Sequence, residues 1–246
     1  MDYRLTDRIG HRATFGLIVL QSDETIEADF ARIFADDGMA VYVSRVPSGA
    51  DVTPDTLAAM AAELPRAAGL LPPSLHYEAV GYGCTSGATV IGSDRVAALV
   101  SATADVGAVS NPLTAVQAGL RALGVARIGL VSPYIQSVTA PLCKALKDYG
   151  IEVATEVTFD EAEDAKVARI GPASIAQAAR AVGDSDVEAV FLSCTNLRTL
   201  DIIAPLEAEL GKPVISSNQA LAWHMARLAG LNEALGPGRL WRLSLA

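Results

Sequence analysis

Aromatic residues are scarce in this 246-residue chain, at 5% of the total, and there are only three cysteines. An odd cysteine count with no close spacing excludes a disulfide framework and a cysteine-rich zinc site. The three histidines, His11, His76 and His224, stand far apart and show no metal-ligand spacing. Runs of Lys or Arg are missing, and the formal net charge is −9. A nucleic-acid-binding face normally carries a basic patch, so no nucleic-acid partner is expected. No uninterrupted apolar stretch approaches the length of a membrane helix. Residues 1–11 carry charges of both signs rather than the apolar centre of a signal peptide. A cytoplasmic protein without membrane association is the expectation.

What is present is apolar and small. Hydrophobic residues make up 51% of the chain, against 19% charged. That balance supports a large core and suits parallel α/β domains, whose strands are buried on both faces. Strand and helix patterns alternate from end to end. Strands are predicted at 15–20, 40–46, 78–82, 106–109, 126–131, 151–157, 187–192 and 213–216. Helices are predicted from 25 to 34, over 53–70, from 86 to 101 with a break near 92–94, and after Pro112. Further helices are predicted over 137–149, 174–182, 200–210 and 218–228.

The pattern restarts near the middle, and this internal repeat is the most informative feature of the chain. Gly16-Leu17 in the first strand matches Gly129-Leu130. Glu78-Ala79-Val80, three residues, then Cys84-Thr85 matches Glu188-Ala189-Val190, three residues, then Cys194-Thr195. The repeat divides the chain into an α/β lobe over 1–115 and a second over 116–229. The tail 230–246 is left open, with the first lobe as its candidate surface. Ligands bind at the carboxyl ends of parallel strands, so two such lobes would aim both cysteines into one cleft.

Two thiols across a cleft suit proton transfer at an acidic carbon, one removing a proton from one face and the other delivering to the opposite face. They equally suit cis–trans isomerisation, in which one thiolate adds to an activated double bond, the bond rotates and the thiolate leaves. Either use calls for a lowered thiol pKa, and the strand-to-helix turns are expected to supply it. Cys84-Thr85-Ser86-Gly87 and Thr195-Asn196 offer hydroxyls and amides for a carboxylate and for developing enolate charge. A single free cysteine is most often a small buried hydrophobe, and Cys143, without such context, is read that way. His224 is read as structural or at the cleft rim. Gly81, Gly83 and Gly87 have the wrong spacing for a dinucleotide fingerprint, so no nicotinamide cofactor is expected. Tyr134, after the repeated first strand, falls near the cleft by topology.

The motifs Gly83-Cys84-Thr85-Ser86-Gly87, Ser132-Pro133-Tyr134 and Ser193-Cys194-Thr195-Asn196 resemble the aspartate/glutamate racemase superfamily. The likeness is to the branch of maleate cis–trans isomerase, arylmalonate decarboxylase and the ectoine-utilisation protein A group. It implies two pseudo-symmetric flavodoxin-like or Rossmann-like lobes, no cofactor, and a homodimer or larger assembly. It also implies Cys84 as nucleophile, Cys194 as proton donor, and Thr85, Ser86 and Tyr134 around a substrate carboxylate. Decarboxylases of this branch keep only the second cysteine, so Cys84 argues for an isomerase. Two positions depart from the resemblance. Asp23, and by a looser alignment Asp164, stand where maleate isomerases place asparagines. A carboxylate there would repel a diacid and attract an ammonium, so the expected substrate is a small carboxylic acid that also bears an amine or amide. The rival readings are a two-lobed small-molecule binding protein and a relative that has lost catalysis.

Overall fold

The structure, a computed structural model, describes residues 1–36, 38–49 and 53–246. The first half runs β1 (Ala13–Leu20), α1 (Ile26–Ile33), β2 (Met39–Val46), α2 (Pro54–Ala68), β3 (Ala79–Gly83), α3 (Thr85–Ile91), α4 (Ser93–Ser101), β4 (Val109–Ser110) and α5 (Pro112–Leu123). The second runs β5 (Arg127–Tyr134), α6 (Gln136–Asp148), β6 (Glu152–Glu161), α7 (Asp164–Val167), α8 (Pro172–Gly183), β7 (Ala189–Leu192), α9 (Ile203–Leu210), β8 (Val214–Ser216) and α10 (Ser217–Leu228). A 3-10 turn at Arg239–Arg242 follows.

The strands form two parallel four-stranded sheets, ordered β2-β1-β3-β4 and β6-β5-β7-β8. The orders are the same once the second half is renumbered, so the repeat seen in sequence is a repeat of topology. It is also one of register: Gly16 pairs with Val80, and Gly129 with Val190. The repeated glutamates have a structural part in this. Glu78 accepts from the Thr14 N–H at 2.6 Å, and Glu188 from the Ala126 and Arg127 N–H groups at 2.8 and 2.9 Å. Each thus satisfies donors at the entry of the neighbouring strand.

All of β1 and β3 is buried, as is β7, which explains their continuous apolar runs. β6 is an edge strand that runs four residues past the predicted end at 157, paired with β5 through register shifts near Gly129 and Tyr134. Its extension is polar except for Phe159, and one apolar residue makes no alternating signal. α7, a single turn, has no counterpart in the sequence reading. It is too short to show a helical period.

α10 leaves the second sheet but packs on the first, against β3, β4, α5 and α1. Its residues from Ser217 to Arg227 are all buried, so it lacks a solvent face. His224 Nδ1 lies 2.7 Å from Ser110 Oγ, and burial pulls the imidazole pKa down to about 4. The tail lies on α5 and α10, with Leu240 and Trp241 buried. Arg227 donates to the carbonyls of Trp241, Leu243 and Leu231, which ties the tail down. The Arg239 N–H also donates to Glu207 on α9. Among the described residues no helix is long and apolar enough to cross a membrane.

Candidate active site

β3 and β7 occupy equivalent places, each beside the first strand of its sheet. Cys84 directly follows β3 and Cys194 lies two residues past β7, at carboxyl ends that face each other. A small pocket is lined by both cysteines together with Thr85, Ser86, Tyr134, Asp164 and Thr195. Leu20 and Leu57 supply its apolar wall. Asp23 and Asn196, also singled out from sequence, are buried behind this lining rather than in it.

Cys84 is extended (φ −149°, ψ 113°) and caps α3, its Sγ accepting from the Gly87 N–H at 3.1 Å. A side chain at 87 would crowd the site, because a Cβ would meet the Tyr82 hydroxyl at 2.5 Å and the Cys84 sulfur at 2.9 Å, so one of them would have to shift. Cys194 has φ +144°, which L residues rarely adopt and which costs on the order of 1–3 kcal/mol. Its surroundings hold it there. The Cys194 N–H donates to Ser217 Oγ at 3.1 Å, and the Asn196 N–H donates to the Cys194 Sγ at 3.3 Å. Ser217 Oγ is also 2.8 Å from Thr85 Oγ1. One hydroxyl at the start of α10 therefore links the turn after β3 to the turn after β7. Thr195 adds a second link by donating to the Gly83 carbonyl at 3.3 Å.

The expectation that these turns lower the thiol pKa is overturned. Burial pushes the Cys84 thiol up to about 12, and the Gly87 N–H only partly offsets it, while the charges of Asp164 and Asp23 raise it further. Burial, reinforced by Asp164, pushes Cys194 well above its ordinary value too. Desolvation disfavours a thiolate more than one N–H can stabilise it, and sequence does not reveal how closed a cleft is.

The two aspartates differ in their surroundings. Asp164 Oδ1 accepts from the Tyr134 hydroxyl at 2.8 Å and Oδ2 from Ser22 Oγ at 2.6 Å. The Tyr134 hydroxyl is also 3.2 Å from the Cys194 sulfur, so its proton is already committed to Asp164 rather than free for a substrate carboxylate. Asp23 Oδ1 accepts from the Thr25 and Ile26 N–H groups, both at 2.8 Å, and so anchors the start of α1. Its Oδ2 is buried without a hydrogen-bond partner among the described residues, the neighbouring Thr195 hydroxyl turning to Gly83 instead. Burial raises the Asp23 pKa, with its two backbone donors pulling the other way. Asn196 joins loops: its Oδ1 accepts from the Glu24 N–H at 2.8 Å, and its Nδ2 donates to the Asp164 carbonyl at 3.2 Å.

Sequence reasoning missed Ser22, Leu20, Leu57 and Ser217. Single serines and leucines carry no pattern of their own, although Ser217 follows the N-cap Ser216 of a capping box with Gln219. Among the described residues no group of three or more His, Cys, Asp or Glu is placed to hold a metal ion.

Comparison with known proteins agrees with this geometry. Residues 92–241 match the arylmalonate decarboxylase family. The chain is 37% identical over 138 residues to arylmalonate decarboxylase of Bordetella bronchiseptica, a match spanning 51% of this chain and about half, 53%, of that protein. It is 29% identical over 248 residues to maleate isomerase of Nocardia farcinica, covering 92% of this chain and 94% of that one. A solved variant of the Nocardia farcinica maleate cis–trans isomerase, with a covalently bound succinylcysteine intermediate, superposes with a TM-score of 0.85 at 26% identity. That superposition covers 94% of this chain and 98% of the solved one. With two equivalent sheets and a cysteine at the matching end of each, the chain belongs to the arylmalonate decarboxylase family, in the branch of the aspartate/glutamate racemase superfamily shared with the maleate isomerases.

Proposed function

We propose that this protein is a cofactor-independent isomerase or racemase that acts on a small carboxylic acid through Cys84 and Cys194. The observation that carries this reading is that both thiols line one buried cavity. A succinylcysteine in a related isomerase supports a cysteine as carbon nucleophile. The family match over 92–241 includes Cys194 but not Cys84, whereas the likeness to maleate isomerase extends over 92% of the chain. A second thiol is what isomerisation needs and what decarboxylation of this type does without.

As a cis–trans isomerase, Cys84 adds to the double bond and Cys194 protonates the carbanion. The new single bond rotates, Cys194 takes the proton back, and Cys84 leaves. As a racemase, one thiolate removes the α proton and the other thiol replaces it from the opposite face. Either course begins from a thiolate, and burial and two nearby carboxylates oppose one. An ammonium on the ligand beside Asp164 would offset that carboxylate and so ease thiol ionisation, whereas a dianion would oppose it further. Among the described residues the cavity lining contains Asp164 and no Lys or Arg. The reading is therefore a substrate with one carboxylate, held by the hydroxyls of Thr85 and Ser86, and one amine or amide near Asp164.

Proton NMR in deuterated buffer tests it, with maleate beside a panel of amino and N-acetylamino acids. Deuterium entering an amine-bearing acid, or its double bond inverting, is the expected outcome. Maleate turning over in preference would remove the charge argument. Ligand-induced thermal stabilisation without turnover, retained in Cys84→Ser and Cys194→Ser, would replace the enzyme with a binding protein.

A further inference from the structure

Cys194 and Cys84 are connected to their surroundings in different ways. From the Cys194 sulfur, polar contacts lead outward: 3.2 Å to the Tyr134 hydroxyl, then 2.8 Å to Asp164 Oδ1. On the far side of the same carboxyl group, Ser22 Oγ lies 2.6 Å from Asp164 Oδ2, and Ser48 Oγ lies 3.1 Å from Ser22 Oγ. Ser22 and Ser48 are half-buried, and Ser48 sits between exposed Pro47 and Gly49. A second small pocket is lined by Ser22 and Ser48 and shares Asp164, Leu20 and Leu57 with the first. From Cys84 the contacts end inside the protein. Its sulfur accepts a backbone N–H and interacts with the Tyr82 hydroxyl, whose onward contact is Met60 Sδ at 3.7 Å, both of these side chains buried.

The direction of each bond follows from donor counting. Tyr134 and Ser22 both place their protons on Asp164, so Cys194 S–H donates to the Tyr134 oxygen and Ser48 donates to Ser22. We propose that Tyr134, Asp164, Ser22 and Ser48 form a proton path that joins the Cys194 thiol to solvent, and that Cys84 has no counterpart. After Cys194 gives its proton to a substrate carbon, Tyr134 passes its own proton to the thiolate. Asp164 receives a proton from Ser22 at Oδ2 and, by turning about its Cβ–Cγ bond, restores Tyr134. Ser48 restores Ser22, and water restores Ser48. One proton enters from solvent for each one delivered. Ser22 and Ser48 are positioning residues that act on the thiol through Asp164 and Tyr134. The path takes its catalytic meaning from the racemase form of the two-thiol reading above, in which Cys194 ends a turnover as thiolate, but conduction along it can be measured without a substrate.

The measurement is infrared spectroscopy of the S–H stretch after rapid transfer to deuterated buffer, on full-length protein carrying Cys143→Ser to remove the third thiol. The two remaining bands are assigned by Cys84→Ala and Cys194→Ala. Cys194 should exchange about tenfold faster than Cys84 or more, a ratio equivalent to one hydrogen-bond link. Ser22→Val should slow Cys194 alone, and Ser22→Thr, which keeps the hydroxyl, should restore it. If Ser22→Val does not fold, Ser48→Val interrupts the path farther from the cavity. Equal exchange at the two thiols, or an unchanged Cys194 rate in a folded Val variant, would overturn the path. Because no substrate is added, this outcome is independent of whether the isomerase reading holds.

Discussion

Gly87 shows how closely the site is built around its sulfur. The Cys84 Sγ has its N–H donor only because no side chain intervenes, and an alanine methyl would lie 2.9 Å from that sulfur. Gly87→Ala is expected to lower kcat by about tenfold or more, with folding retained, since misplacing a reacting group by a fraction of an ångström has effects of that order. Steady-state kinetics beside a thermal melt check it. Asp164 gives a second expectation at this scale. Asp164→Asn removes the carboxylate that raises both thiols, so Cys194 should ionise at lower pH than in wild type, read from thiolate absorbance in a Cys84→Ser, Cys143→Ser background. An unchanged or higher midpoint would contradict the electrostatic account. The cysteines themselves were legible in sequence because Cys-Thr recurs after the same strand. Their raised pKa was not, since burial is a property of the closed cleft. Ser22 and Ser48 were invisible for another reason: each lies in an unrepeated loop and gains meaning only beside Asp164, far away in sequence.

At the level of elements, the repeat foretold more than strand positions. Glu78 and Glu188, first noticed as letters of a motif, bind the N–H groups that open β1 and β5, so the motif preserves sheet geometry as well as the cysteine. The repeat could not foretell α10, whose contacts lie with the first sheet although it follows the last strand of the second. Its apolar residues surround it on all sides, which signals burial but not against what. The crossing matters because α10 delivers Ser217 to the turns of both cysteines. Ser217→Ala would leave the Cys194 N–H and Thr85 hydroxyl without that buried partner, at about 1–3 kcal/mol. Urea unfolding should show the loss, and activity should fall with it because Cys194 relies on that bond to keep its positive φ. Full activity at wild-type stability would mean that Ser217 is incidental. The mostly polar end of β6 and the single turn of α7 stayed outside the sequence reading because neither is long enough in apolar residues to show a core-facing period.

For the molecule as a whole, two buried titrating groups near α10 set opposing pH dependences. Burial raises Asp29, which accepts from Asn218, to about 6 from an ordinary 3.8. Its contribution is complete below the ordinary value and is lost as pH rises through about 6. His224 is depressed from 6.5 to about 4, so its contribution is complete above 6.5 and is lost as pH falls through about 4. Each shift corresponds to about 3 kcal/mol at most. Urea unfolding across pH 4 to 7 should show Asp29→Asn gaining stability toward neutral pH and His224→Gln losing less toward acid. Parallel curves for wild type and both variants would refute this assignment. The two-sheet architecture was readable from alternation and repeat, whereas the way the halves interlock depends on contacts between residues more than a hundred positions apart, which no local pattern encodes. That interlocking makes one site of two half-sites, and the central claim is that Cys84 and Cys194 divide a single reaction. The most direct test is turnover of whichever panel compound reacts, by Cys84→Ser, Cys194→Ser and the double variant. Groups that act as a unit are not additive, so each single change should lower the rate by about a thousandfold or more and the double no further. Wild-type turnover in either single variant would contradict the account.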